Sequence, residues 1–126
     1  MIHRLAGAPF RGLPSVLQQH PQFDLHGLRR VMALRLESGP EGAFDLIIDF
    51  THTYASDTLF RLHCAGIRNC VIPSLSPTFY VSEVEVEDVS ASQLEGIRMH
   101  LKDFGANGSL EVWCRALEVG LVVPVL

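Results

Sequence analysis

The sequence is short of the motifs that most often announce chemistry. It has no Cys-x-x-Cys pair and an odd total of three cysteines, Cys64, Cys70 and Cys114. That spacing describes neither a disulfide framework nor a zinc knuckle. It reads as three reduced thiols of a cytoplasmic protein, with a Cys64–Cys70 bridge between neighbouring strands as the alternative. No GxxxxGK[ST] or GxGxxG run is present, so the nucleotide chemistry those loops serve has no support. A GxSxG nucleophile elbow is also missing. Basic residues are few, with ten Lys and Arg against 14 Asp and Glu and a formal net charge of -4. A general nucleic-acid binder needs a clustered basic face to displace counterions, so that partner is not expected. The longest apolar stretch, Gly120–Leu126, is cut by Pro124 and falls far below the ~18 residues of a spanning helix. No apolar run of ~7–15 residues follows Met1-Ile2-His3-Arg4, so neither a signal peptide nor a membrane partner is expected.

What is present suits one folded domain. Of 126 residues, 48% are apolar and 19% charged, and a domain of that length buries roughly two thirds of the surface of its unfolded chain. Residues 1–22 read as an irregular arm holding a short helix at 14–19, with Pro14 at its first position and Pro21 beyond its end. Residues 23–119 read as a β-rich core, and 120–126 as an apolar tail.

The core is built on a period of two. Leu28, Met32, Leu34 and Leu36 share one parity, against Arg29, Arg35 and Glu37. After the turn cluster at 38–42, Phe44, Leu46, Ile48 and Phe50 alternate with Asp45, Ile47 and Asp49, giving a hairpin. Phe60, Leu62 and Cys64 alternate with Arg61 and His63; Gly66 is expected to turn the chain into a further strand over 69–75. In 78–87, Tyr80, Val84 and Val86 oppose Val81, Glu83, Glu85 and Glu87. Ser90 with Gln93 is a capping-box pattern for one helical turn. Ile97, Met99 and Leu101 alternate with Arg98, His100 and Lys102. Asn107-Gly108 marks a hairpin turn into 110–119, where Val112, Cys114 and Ala116 oppose Trp113, Arg115 and Leu117. Both faces of this last strand carry apolar groups, which suits a central position. Seven strands with tight connections predict a mostly β fold with one or two short helices: an antiparallel meander closed into a sandwich or open barrel. The α+β class is the runner-up.

Two constellations invite a catalytic reading. Asp49, His52 and His63 could meet across a hairpin as a two-histidine, one-carboxylate metal set. Asp24 and His26 flank Leu25 and could form the supporting part of a triad. Against both stands the plainer reading of hydrogen-bonded strand and loop residues, and no catalytic residue, metal or cofactor is expected. The run Glu83, Glu85, Glu87, Asp88 is the clearest electrostatic feature. It is either a solvated face that discourages edge pairing or a docking surface that steers a basic partner. Trp113 is first a core residue and second an aromatic anchor for that surface. Arg29, Arg30, Arg35 and Arg61 form a separate, interrupted basic group.

The segment Ser90–Leu117 carries a resemblance. It runs from Asp88-Val89-Ser90-Ala91-Ser92-Gln93-Leu94-Glu95-Gly96-Ile97 through Asp103-Phe104 and the Asn107-Gly108 turn to Glu111-Val112-Trp113-Cys114-Arg115. With Phe23-Asp24-Leu25-His26 and Leu34-Arg35-Leu36, it resembles a family of small bacterial proteins, some of them immunity proteins of polymorphic toxin systems. The likeness covers about Phe23 to Val119. It implies a non-catalytic, β-rich domain that binds a cognate protein toxin, such as a basic nuclease, and blocks it by occlusion. It carries over no catalytic residue. On this reading Glu83, Glu85, Glu87, Asp88 and Trp113 are the candidate partner-binding residues. A structural or homo-oligomeric module, with Leu121–Leu126 adding a strand to a second copy, is the next expectation, and a small hydrolase or metal-dependent enzyme the third.

Overall fold

A computed structural model of the chain describes residues 10–39, 42–55, 57–73, 79–92, 96–105 and 110–122. Its strands are β1 (Phe10–Arg11), β2 (Leu28–Ser38), β3 (Phe44–His52), β4 (Phe60–Val71), β5 (Val84–Asp88), β6 (Met99–Asp103) and β7 (Glu111–Leu121). One helix, α1 (Leu13–Gln19), and two 3-10 turns, Leu25–Gly27 and Ser90–Ser92, complete the set. The fold is the expected one: mostly antiparallel β with few short helices.

The alternation over 44–50 places Leu46, Ile48 and Phe50 inward, each fully buried. Across β4 the same face continues with Phe60, Leu62 and Cys64, also fully buried. The strand order is β2-β3-β4-β7-β6-β5. β7 is central. Its one side pairs with β4 along its length, while the other is shared by β6 at Met99↔Cys114 to Lys102↔Glu111 and by β1, parallel, at Phe10↔Leu117. The first strand of the order is also joined to the segment that leads into the last. Arg30 bridges Tyr80, Val31 N–H donates to Phe79 O at 2.8 Å, and Val81 N–H donates to Arg29 O at 2.6 Å. The segment leading into β5 therefore closes on β2, which makes the open barrel of the two expected closures.

Several local expectations are corrected. Residues 10–19 are no irregular arm. Phe10, Leu13 and Val16 enter the core, and the helix begins behind Gly12, which has a φ of 89° and lies so close to Val119 O that a Cβ would stand 2.0 Å from it. Gly66 does not turn the chain. It sits inside one long strand with φ 66°, and the β3–β4 register shifts between Phe44 and Leu46. A left-handed residue in a strand is a bulge. The bulge re-phases the strand, so that Cys64 and Ile67, three residues apart, both pack on the core. The parity of β2 also differs. Register shifts lie between Leu28 and Val31 and between Val31 and Ala33, so Leu28, Val31 and Leu34 turn toward the core while Met32 is 48% exposed. In the same way Val81 is buried and Tyr80 exposed, because residues 79–81 pair with β2 before β5 begins.

The Asn107-Gly108 turn and Gln93 lie outside the described residues. The hairpin around the former is nonetheless visible in Asp103 N–H donating to Leu110 O at 3.0 Å. Leu121 ends β7 opposite Phe60, so the apolar tail begins as part of the sheet; residues 123–126 lie outside the described set. No helix among the described residues is long and apolar enough to cross a membrane.

Candidate interaction face on β5, β6 and β7

Alternation in three adjacent strands stacks polar side chains on one outer face. The register lays Glu85, Lys102 and Glu111 in one row and Glu87, His100 and Trp113 in the next. Their neighbours along each strand, Val84, Val86, Met99, Leu101 and Val112, all point inward and are buried. Burial of that apolar face fixes which residues must point out.

The row of glutamates is not left as a bare line of like charge. His100 Nε2 lies 2.7 Å from Glu111 Oε2, and its Nδ1 lies 3.5 Å from Glu87 Oε1. Lys102 Nζ is 3.7 Å from Glu111 Oε1 and stands over the Phe104 ring at 5.5 Å. From the 3-10 turn, His26 Nε2 reaches Glu85 Oε2 at 3.5 Å. Trp113 is half-buried and stacks on His100, with ring centroids 4.9 Å apart and planes at 20°. Its expected core position is corrected: alternating with the buried Val112 and Cys114, it points to the outer face, and the imidazole covers it. Glu85, Glu87, His100, Lys102 and Phe104 line a shallow groove. Phe104 itself is 55% exposed.

The acidic run divides at its end. Glu83, Glu85 and Glu87 are exposed. Asp88 shares the parity of Val84 and Val86, opposite Met99, and caps the following turn by accepting from Ser90 N–H at 2.8 Å. Bonds from the Ser90 hydroxyl and N–H hold the Asp88 carboxyl below its ordinary range. It belongs to the turn rather than to the face. Sequence reasoning passed over Lys102, Phe104 and Glu111. The first two were legible in the polar parity of 98–102 and the Asp103-Phe104 pair. Glu111 needed the β6–β7 register.

The two catalytic constellations are taken apart by the fold. His52 is on the inner parity of β3, donates to Asp24 O at 2.9 Å, and receives Tyr54 N–H at 3.3 Å. His63 is on the outer face, donating to Asp45 Oδ2 at 2.9 Å. Asp49 receives Arg61 at 2.7 and 3.1 Å. The sheet stands between the two histidines, and among the described residues no group of three or more ligands could hold a metal ion. Asp24 does not orient His26; its carboxylate accepts from Gly27 N–H at 2.7 Å and caps the 3-10 turn. The Cys64–Cys70 bridge is likewise not formed. The two residues lie on one strand, and all three cysteines are free. The basic group is spread out: Arg61 serves Asp49, Arg35 serves Glu37 at 2.9 Å, and Arg29 donates to the carbonyls of His26, Leu28 and Ser82.

Compared with known proteins, the chain matches no family model, no curated protein and no solved structure.

Proposed function

We propose that this chain is a non-catalytic protein-binding domain of the immunity type, which neutralises a cognate basic toxin by covering its active surface. The reading rests on one observation. The outer face of β5–β6–β7 carries Glu83, Glu85, Glu87 and Glu111 beside Lys102, around the stacked pair His100–Trp113, with the exposed Arg98 and Arg115 one step further along β6 and β7. An excess of carboxylates beside exposed aromatic surface steers a cationic partner and offers it apolar contact once docked. The net charge of -4 acts in the same direction at long range. Asp88 drops from the set of binding residues, and Lys102, Phe104 and His100 join it.

The test is association of the purified chain with the product of a neighbouring toxin-like reading frame, followed by stopped-flow at several salt concentrations. Glu83→Lys, Glu85→Lys and Glu87→Lys together are expected to lower the on-rate about tenfold or more at low salt, where steering is strongest. An unchanged on-rate and an unchanged salt slope would remove this face from the interface.

A further inference from the structure

Among the described residues the barrel is closed at only part of β2. Residues 29–31 pair outward with 79–81, but Met32–Ser38 has no strand partner on its outer side among the described residues. This is seven residues of extended chain, nearly all exposed. It carries Leu36 at 51% exposure, and Phe44, at 50%, lies next to it across the hairpin end. Edges of this kind are templates for pairing with another chain. Bulges and outward charges are the usual protection. Here the bulges lie at the other end of the strand, between Leu28 and Ala33.

The sequence of the edge also says what fits it. Two copies related by a two-fold axis pair antiparallel, and each such register is centred on one residue. Centred on Arg35, the pairing sets two guanidinium groups opposite each other. Centred on Glu37, it does the same with two carboxylates. Centred on Leu36, it sets Leu36 against Leu36, and Arg35 of each copy against Glu37 of the other. Like charges directly opposite on a sheet destabilise it and opposite charges stabilise it. Arg35 and Glu37 already share one outer face, with Arg35 Nε 2.9 Å from Glu37 Oε2 within the chain. The Leu36-centred register would place each Glu37 between two guanidinium groups.

We propose that the chain forms a two-fold dimer through antiparallel β2–β2 pairing centred on Leu36. The occupant of the edge is a second copy because the strand is complementary to itself in charge and in apolar position. This goes beyond the proposed toxin-binding face and uses none of its residues.

Sedimentation velocity across a dilution series reads the outcome. The unaltered chain is expected to run at twice its 14.0 kDa mass and to dissociate on dilution. Arg35→Glu and Glu37→Arg, each alone, set like charges opposite at two symmetric places and should raise the dimer dissociation constant about tenfold. The double exchange R35E/E37R restores both pairs and should restore the dimer. Leu36→Lys, at an exposed position where folding is not at stake, should also dissociate it; circular dichroism confirms that each variant is folded. A chain that stays at 14.0 kDa throughout overturns the proposal. So does a dimer equally tight in all variants, which would place the contact elsewhere.

Discussion

Asp45 and His63 form a hydrogen-bonded pair on the outer face of β3 and β4, with Nε2 2.9 Å from Oδ2. The other carboxylate oxygen accepts from the bulge residue Gly66 N–H at 3.0 Å. Asp45 is 9% exposed, and burial alone would raise its pKa. The Gly66 N–H, the His63 bond and the positive charges of His63 and Arg115 outweigh that and leave it lowered. The same pair therefore anchors the bulge that re-phases β4.

A pH dependence follows from the direction of that shift. A carboxyl whose pKa is lower in the folded than in the unfolded chain stabilises the fold above its unfolded value near 3.8, and the stabilisation is lost as pH falls through the folded value. Asp45→Asn should cost about 1–3 kcal/mol at neutral pH. The deficit should shrink on acidification toward and below the unfolded value. Urea midpoints of the two proteins across that range check it; a deficit constant with pH would show that ionisation of Asp45 contributes nothing.

Asp103 ends β6 and is almost fully buried. Its Oδ1 accepts N–H bonds from Glu83 at 2.9 Å, Gly105 at 3.0 Å and Ser82 at 3.3 Å. One carboxylate thus ties the entry to β5 to the exit from β6. Asp103→Ala leaves those donors without their acceptor and should cost about 2–3 kcal/mol. Asp103→Asn keeps an oxygen in place and should cost less than half as much. Denaturant unfolding of both variants decides it, and equal losses would mean the negative charge rather than the acceptor is what matters.

Gly27 lies against the His52 ring. A Cβ built there would stand 2.1 Å from Cε1 and 2.2 Å from Nε2. The ring has little room to give, since it is held by Asp24 O and Tyr54 N–H and packed against Phe23 and Phe60. Gly27→Ala should destabilise by about 3 kcal/mol. Gly42→Ala is the control for backbone effects, because its φ of 79° is strained for alanine while nothing lies within 4 Å of the added carbon. It should lose only about 1–2 kcal/mol. Thermal melts of the pair test the difference.

The thiols should separate by accessibility. Cys64 and Cys114 are fully buried, whereas Cys70 is half-buried. The hydrogen bond with Cys114, together with burial, pushes the Cys64 thiol well above its ordinary pKa. Thiolate is the reactive form. An aromatic disulfide reagent should therefore modify one thiol per native chain, Cys70, and all three after unfolding. Rapid native labelling of Cys64 would mean that β4 and β7 open readily.

The regular parts of the fold were legible because they depend on local chemistry. Phe44–Phe50 and Phe60–Cys64 announce their inward faces by alternation alone, and so do Met99 and Leu101. Pro14 and Pro21 bracket α1 correctly. The strand parities of β2 and β4 failed at bulges. Two successive register shifts between Leu28 and Ala33 turn Val31 inward and Met32 outward before the expected parity returns at Leu34, and the left-handed glycine at 66 re-phases β4 at Ile67; no single window of sequence contains the partner strand that shows the slip. The acidic face was legible in part: alternation placed Glu85 and Glu87 together, but not their cations on β6.

By itself the sequence determined that this chain is sheet-forming with an acidic balance, because apolar alternation and net charge are properties of each segment taken alone. The tertiary structure decided that the sheet closes through Arg30 and Tyr80, that Trp113 lies outside against His100, that the histidines of the supposed metal set stand on opposite faces, and that Met32–Ser38 is an edge among the described residues. All four depend on hydrogen-bond register between segments far apart in the chain, and that register is fixed only when every strand buries its apolar face at once.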